Sequence, residues 1–288
     1  MLSTSTTFAR IRRIALGCFD GLHLGHEKLL EHLRGEESAL VIINKFKSKK
    51  LCDGAQRELL SGILSVELDF ESVKDLSGEE FLRLLREKFK NLELIVVGYD
   101  FRFGKNRLHQ AEDIETLSGI KTLIVPEFKR DGLSVHTQMI KRLLSEGEVA
   151  RAAEFLGRFY SIKGRLVRGQ GLGRRELFAT LNLKSEGYFL PKFGVYAGFC
   201  RVRGGLYAGV IFLGLRGSDG ELSLETHILE PFSQEVEEGE ALQIFFLSFL
   251  RENEKFDNLQ DLKQQISADI KRAKEFLKKP FEAAFLRG

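Results

Sequence analysis

The chain has 288 residues with 44 Lys and Arg against 41 Asp and Glu, a formal net charge of +3. That is far short of the basic surplus a dedicated DNA or RNA binder gathers on one face. Three cysteines, Cys18, Cys52 and Cys200, without a C-x-x-C pair, support neither a disulfide framework nor a zinc ribbon.

In chain order, apolar runs at 13–19, 39–43, 66–70, 93–98 and 121–125 read as strands. The amphipathic stretches 24–34, 56–64, 78–89 and 111–117 between them read as helices. This alternation implies right-handed βαβ crossovers and a mostly parallel sheet. Two more helical patterns follow at 137–145 and 149–156, the second stopped by Gly157. From residue 160 the chain turns Gly-rich, with short alternating segments at 161–167, 195–201, 206–212, 221–229 and 241–246. Such spacing favours an antiparallel sheet or small barrel, and a helix over 259–277 closes the chain. The change of texture sets the expected domains at 1–157 and 158–288. Residues 1–9 lack the apolar core of a secretory signal, and the most apolar run, 241–250, is far shorter than a membrane helix. The expected setting is cytoplasmic, with no membrane and no nucleic-acid partner.

The first strand runs into GCFDGLHLGHEKLL, residues 17–30. Gly17 and Gly21 permit a sharp strand-to-helix turn, and His23 and His26 fall three apart on one face of the helix start. A helix amino terminus holds phosphate, and two imidazoles there can stabilise charge growing on an α-phosphate during nucleotidyl transfer. Histidines at a helix start also serve as caps, but the strand and the Gly-bracketed Phe-Asp turn favour the chemical reading. Cys18, beside this turn, is expected to be a small packing residue. The strand at 93–98 ends in VGYDFRFGKNR, residues 97–107. Ligands of such sheets bind beyond the carboxyl strand ends, where Asp100, Phe101, Arg102 and Phe103 offer an acceptor, two stacking faces and a guanidinium. A plain surface turn with packing aromatics has the same sequence.

In the second half, GRLVRGQGLGRRELFATLNL covers residues 164–183. Gly169, Gly171 and Gly173 with Arg174 and Arg175 could cradle phosphates, although glycines beside arginines are common in ordinary turns. Thr180 and Asn182 lie two apart and share a face if the stretch is extended, offering neutral oxygens to Mg²⁺. In SLETHILE, residues 223–230, alternation puts Ser223, Glu225 and His227 on one face. A carboxylate there could take the proton of an attacking hydroxyl, or the face could simply be solvated.

The pair G-x-F-D-G-x-H-x-G-H and V-G-x-D-F-x-F-G resembles the adenylyltransferase module of the bacterial bifunctional riboflavin kinase/FAD synthetase family. The second half resembles that family's riboflavin kinase module through LFATLN (177–182), LPKFGVYAG (190–198) and ETHILE (225–230), in the family's order. The resemblance implies a nucleotidyltransferase-like parallel-sheet domain followed by a six-stranded antiparallel barrel with a carboxyl-terminal helix. It implies that His23 and His26 contact ATP phosphates, with Gly17, Phe19, Asp20 and Gly25 in the same nucleotide site. The loop of Asp100, Phe101 and Arg102 would lie against flavin, and Thr137 and Lys141 would serve the triphosphate. In the barrel, Gly169, Gly173 and Arg174 would bind nucleotide, Thr180 and Asn182 would bind Mg²⁺–ATP, and Glu225 would be the catalytic base.

In the second half Leu177, Ala179 and Leu181 stand where the family has Gly, Pro and Ala, and two segments of the first half depart further. INKFKSKKL (43–51) stands where the family has Phe-x-Pro-His-Pro, and HTQMIKRLL (136–144) where it has Ser-Ser-Thr-x-Ile-Arg. The implied function is riboflavin phosphorylation to FMN and then FMN adenylylation to FAD, with ATP as co-substrate and Mg²⁺ as cofactor. The implied partners are those small molecules, and the implied state is a monomer or weak homo-oligomer. A kinase with an impaired first domain and a non-catalytic flavin- or nucleotide-binding regulator are the alternatives.

Overall fold

The computed structural model describes residues 8–33, 35, 37–44, 49–167, 180–215, 220–232, 236–278 and 283–287. Backbone packing divides the chain into two compact units, Met1–Thr137 and Gln138–Gly288.

The first unit alternates strands and helices: β1 (Arg13–Gly17), α1 (Leu24–Leu30), β2 (Ser38–Asn44), α2 (Gly54–Ser61), β3 (Leu64–Asp69), α3 (Phe70–Val73), α4 (Gly78–Lys88) and β4 (Leu94–Gly98). A hairpin of β5 (Arg102–Phe103) and β6 (His109–Gln110) precedes α5 (Asp113–Ser118) and β7 (Lys121–Val125). A second hairpin pairs β8 (Lys129–Arg130) with β9 (Leu133–Ser134). The sheet order is β3-β2-β1-β4-β7, all pairings parallel. Strands buried on both faces need continuous apolar runs, and those runs are what the sequence carries. Along β1, Ile14 and Leu16 face one core while Ala15 faces the other. The order reverses at β1, so the crevice beyond the carboxyl ends of β1 and β4 is the place where such sheets bind ligands.

The second unit contains α6 (Thr137–Glu146) from its second residue onward and α7 (Val149–Leu156), closed by Gly157 at φ 70°. Six strands follow: β10 (Tyr160–Val167), β11 (Leu181–Lys184), β12 (Gly194–Val202), β13 (Gly205–Leu215), β14 (Leu222–Ile228) and β15 (Ala241–Arg251). They form a closed barrel in the order β10-β11-β14-β13-β12-β15, the ring completed by Tyr160 opposite Phe246. The last helix, α8 (Leu259–Leu277), packs Ala273, Ile270 and Phe276 over Val195, Val210 and Leu250.

A buried ion pair fastens that helix. Arg251 donates from Nε to Asp269 Oδ1 at 3.0 Å and from Nη2 to Oδ2 at 2.8 Å, with Asp269 2% exposed. Gln265 Nε2 adds a third donor to Oδ1 at 3.0 Å. Removing one member of such a pair leaves the other charge buried without compensation. Asp269→Ala is therefore expected to destabilise this unit by about 3–5 kcal/mol, read as a lower urea midpoint at unchanged slope.

One expectation is corrected. Cys18 is exposed and is not a core packing residue; β1 ends at Gly17, and the chain bends before the next buried side chain, Phe19. Cys200 does pack inside the barrel, where burial pushes its thiol up to about 12. Among the described residues no helix is long and apolar enough to cross a membrane.

Candidate active sites

Where β1 ends, the backbone turns through three positive φ values, Phe19 at 45°, Gly21 at 85° and Leu22 at 39°. Only the glycine adopts such a conformation without strain, so the surrounding structure must hold the other two in place. Phe19 is 1% exposed and lies against the His26 ring, 5.2 Å between centroids. His23 is the N-cap of α1, and its Nδ1 accepts from the His26 N–H at 3.3 Å, a bond shared with the His23 carbonyl at 2.8 Å. Because Nδ1 accepts, the ring proton sits on Nε2, making that nitrogen a donor. The two imidazoles stack 3.6 Å apart with an interplanar angle of 16°. Gly25 makes this possible: a Cβ there would meet His23 Nδ1 and the Val135 carbonyl oxygen, both at 3.2 Å. The expected pairing of His23 with His26 is thus present, with one ring capping the helix and the other stacked upon it.

Asp20 ties the turn to its neighbours. Its Oδ1 accepts from the Leu51 N–H at 2.6 Å, and its carbonyl accepts from Thr137 Oγ1 at 3.1 Å. Thr137 is therefore tied to the turn that follows β1. Of the divergent segment after β2, residues 45–48 lie outside the described residues. Lys50 Nζ, beyond them, donates to Asn44 Oδ1 at 2.6 Å. Lys141 falls in the second unit, its ammonium 5.7 Å from the centre of the Phe189 ring.

The loop after β4 rises at the same carboxyl edge. Asp100 and Arg102 are exposed and Phe101 is half-buried, while Arg102 Nη1 donates to Gln110 Oε1 at 3.4 Å. Phe103 is 4% exposed, packed among Phe81, Phe101 and His109, so it is a core ring and not a second stacking face. A polar group that the sequence reading missed stands beside this loop. Tyr99 Oη donates to Glu127 Oε1 at 3.2 Å, and Ser134 Oγ lies 2.5 Å from His136 Nε2. Hydrogen bonds from Ser134 and then Lys129 hold the Glu127 carboxyl below the usual range. No short motif announces this group, because two hairpin strands of two residues each bring it together.

In the barrel, Glu225 stands between two neighbouring strands. Antiparallel pairing of β11 with β14 sets Asn182 opposite Glu225, and β14 with β13 sets Phe212 on the other side. Thr180 Oγ1 donates to Glu225 Oε2 at 3.2 Å, and Ser223 Oγ donates to Glu225 Oε1 at 2.6 Å. Ser223 and Asn182 are buried and Glu225 is half-exposed. The donor set (a hydroxyl, an amide and a carboxylate, all hard oxygens) suits Mg²⁺, which takes few protein ligands and keeps the rest as water and phosphate. Gly169, Gly171, Gly173, Arg174 and Arg175 lie outside the described residues.

Residues 156–277 match the family model described as Riboflavin kinase. The chain is 27% identical to the bifunctional riboflavin kinase/FMN adenylyltransferase of Listeria monocytogenes, with 92% of each chain covered. It is 29% identical to the protein of the same name from Mycoplasma pneumoniae, over 91% of this chain and 96% of that one. A crystal structure described as a macrolide-efflux protein from Streptococcus pneumoniae shares the fold, with TM-score 0.81, 24% identity, and 92% and 94% of the two chains covered. The five-stranded parallel sheet is followed by a closed barrel, and the barrel is the part that matches the Riboflavin kinase model. Nearly the whole chain is similar to proteins named bifunctional riboflavin kinase/FMN adenylyltransferase, and the family model covers its barrel.

Proposed function

We propose that this chain makes FMN from riboflavin and ATP in residues 158–288, and FAD from FMN and ATP in residues 1–157. The observation that carries the reading is the cluster in which Thr180 and Ser223 donate to the Glu225 carboxylate while Asn182 stands opposite Glu225 on the paired strand. In the kinase step Glu225 accepts the proton of the ribityl 5′-hydroxyl as that oxygen bonds to the γ-phosphorus. The bond from the γ-phosphorus to the bridging oxygen breaks, and ADP leaves with the electron pair. Thr180 and Asn182 would hold a magnesium-bound nucleotide, and the ion would offset charge on the phosphate oxygens.

In the adenylyl step an FMN phosphate oxygen attacks the α-phosphorus of ATP and pyrophosphate departs. No covalent nucleophile is needed, because positioning and electrostatic stabilisation supply most of phosphoryl-transfer catalysis. His23 donates from Nε2 toward the α-phosphate oxygens, and His26 stands stacked behind it. Gly17, Phe19, Asp20 and Gly25 shape the turn; Asp100, Phe101 and Arg102 face the flavin; Thr137 serves the triphosphate. Both reactions belong in the cytoplasm, where ATP is held.

The test is a time course of purified protein with riboflavin, ATP and Mg²⁺, with the flavins separated chromatographically. FMN that rises and then gives way to FAD is the expected result. Folded protein that binds flavin yet forms no product would overturn the reading in favour of a regulator. FMN that accumulates without FAD would limit the function to the kinase, with the divergent segments 43–51 and 136–144 responsible.

A further inference from the structure

We propose that Ser223 is a positioning residue of the kinase site, fixing Glu225 Oε1 so that Oε2 is the oxygen that takes the proton of the attacking hydroxyl. The inference rests on the reading of Glu225 as the base.

The two carboxylate oxygens are held unequally. Ser223 Oγ approaches Oε1 to 2.6 Å, within the range of a charge-assisted O–H···O⁻ bond, whereas Thr180 Oγ1 stands 3.2 Å from Oε2. A carboxylate has no proton to give, so both hydroxyls are the donors and neither direction is ambiguous. Ser223 belongs to β14 itself, two residues before Glu225 on the same face, and is 5% exposed. Its backbone is fixed by pairing with Gly214, which leaves the single χ1 torsion as the serine's freedom. Thr180 lies just before β11 begins and is half-buried, and in the proposed mechanism its oxygen also serves the nucleotide. Oε1 is therefore the more tightly held oxygen and Oε2 the one with the longer contact.

A glutamate on a strand otherwise turns about its last torsion, which is broad and two-fold. Pinning one oxygen sets the plane of the carboxylate and aims the other, and reaction rates are sensitive to such aim. The proton of the 5′-hydroxyl passes to Oε2 as the new O–P bond forms, while Ser223 keeps its own proton throughout.

The test measures kcat and KM for FMN formation in the full chain, riboflavin affinity by fluorescence, melting temperature, and FAD formation from supplied FMN. Ser223→Ala is expected to lower kcat about tenfold or more, as loss of a hydrogen bond to a charged group would. Riboflavin affinity, both KM values and FAD formation are expected to stay at wild-type levels. Ser223→Thr and Ser223→Val separate chemistry from packing, since they share a shape and differ in the donor. Thr turning over within about threefold of wild type, with Val as slow as Ala, supports the assignment. Equal kcat for Thr and Val, or a Ser223→Ala loss that appears in KM and riboflavin affinity with kcat unchanged, overturns it. Glu225→Gln runs alongside. If Glu225→Gln turns over normally, the base reading itself fails. If Glu225→Gln is inactive while Ser223→Ala keeps full kcat, only the Ser223 assignment fails.

Discussion

Glu225→Gln is expected to lower kcat for FMN formation by about 10²–10⁴-fold, the span that a general base contributes. Gln keeps the length and the strand packing, and its amide oxygen can still accept from Ser223 or Thr180. What it loses is the ability to take a proton. Riboflavin affinity should therefore change little, and FAD formation from supplied FMN should be unaffected, because that reaction is assigned to the other domain. Stopped assays that follow FMN and FAD separately check both statements. A variant that still makes FMN at the parent rate would remove Glu225 from the mechanism.

The complementary change lies in the first domain. His23→Asn is expected to cut FAD formation from FMN by about 10²–10³-fold, the loss typical of removing one donor aimed at developing charge. Asn is the informative substitution because it can still accept the His26 N–H as an N-cap, so the start of α1 should survive. His23→Ala would remove the cap as well, adding about 1 kcal/mol of instability to the same catalytic loss. FMN formation from riboflavin should remain within about twofold of the parent in either variant, since an intact kinase site requires no rate change beyond experimental scatter. A His23→Asn protein that makes FAD normally would leave the stacked imidazoles as a structural device of the turn.

Much of this architecture is legible in the sequence where periodicity and punctuation agree. The strand at Lys121–Val125 and the helices at Val149–Leu156 and Leu259–Leu277 have the bounds that their patterns predict. Helix α1 stops at Leu30 and not at 34, because the next residues tighten into three-residue turns, with Leu33 N–H bonding the Leu30 carbonyl. Strand β15 runs on to Arg251, five residues past the predicted end. Alternation fails there because its register against β12 slips between Ala197 and Gly198 and again between Val195 and Tyr196. Strand β11 has four residues and little pattern of its own; its conformation comes from pairing with β10 and β14.

The sites divide in the same way. Glu225, Thr180 and Asn182 could be named because alternation places their oxygens on strand faces and the family resemblance of ATLN and ETHILE singles them out. Ser223 carries the same signal, being two residues before Glu225, yet a lone serine has no chemistry until its partner's distance is known. Phe103 misled because an aromatic in a loop looks the same whether it meets a ligand or, as here, Phe81.

The closure of the barrel has a consequence for how the protein is made. Strand β10 must find β15, Tyr160 meeting Phe246 after all four other strands have been synthesised. The parallel sheet is complete once β7 has emerged, whereas the ring cannot shut until the chain is nearly finished. At roughly 5–20 residues per second, the interval between the two events is on the order of ten seconds. In the later part of that time, once β10 and β12 have been made and before β15 joins them, both present unsatisfied edges to other nascent chains. Pairing across such a sequence distance is also intrinsically slow. Newly made protein should therefore acquire a folded amino-terminal half first, and the barrel half is where shortened chains or slow synthesis would produce aggregates.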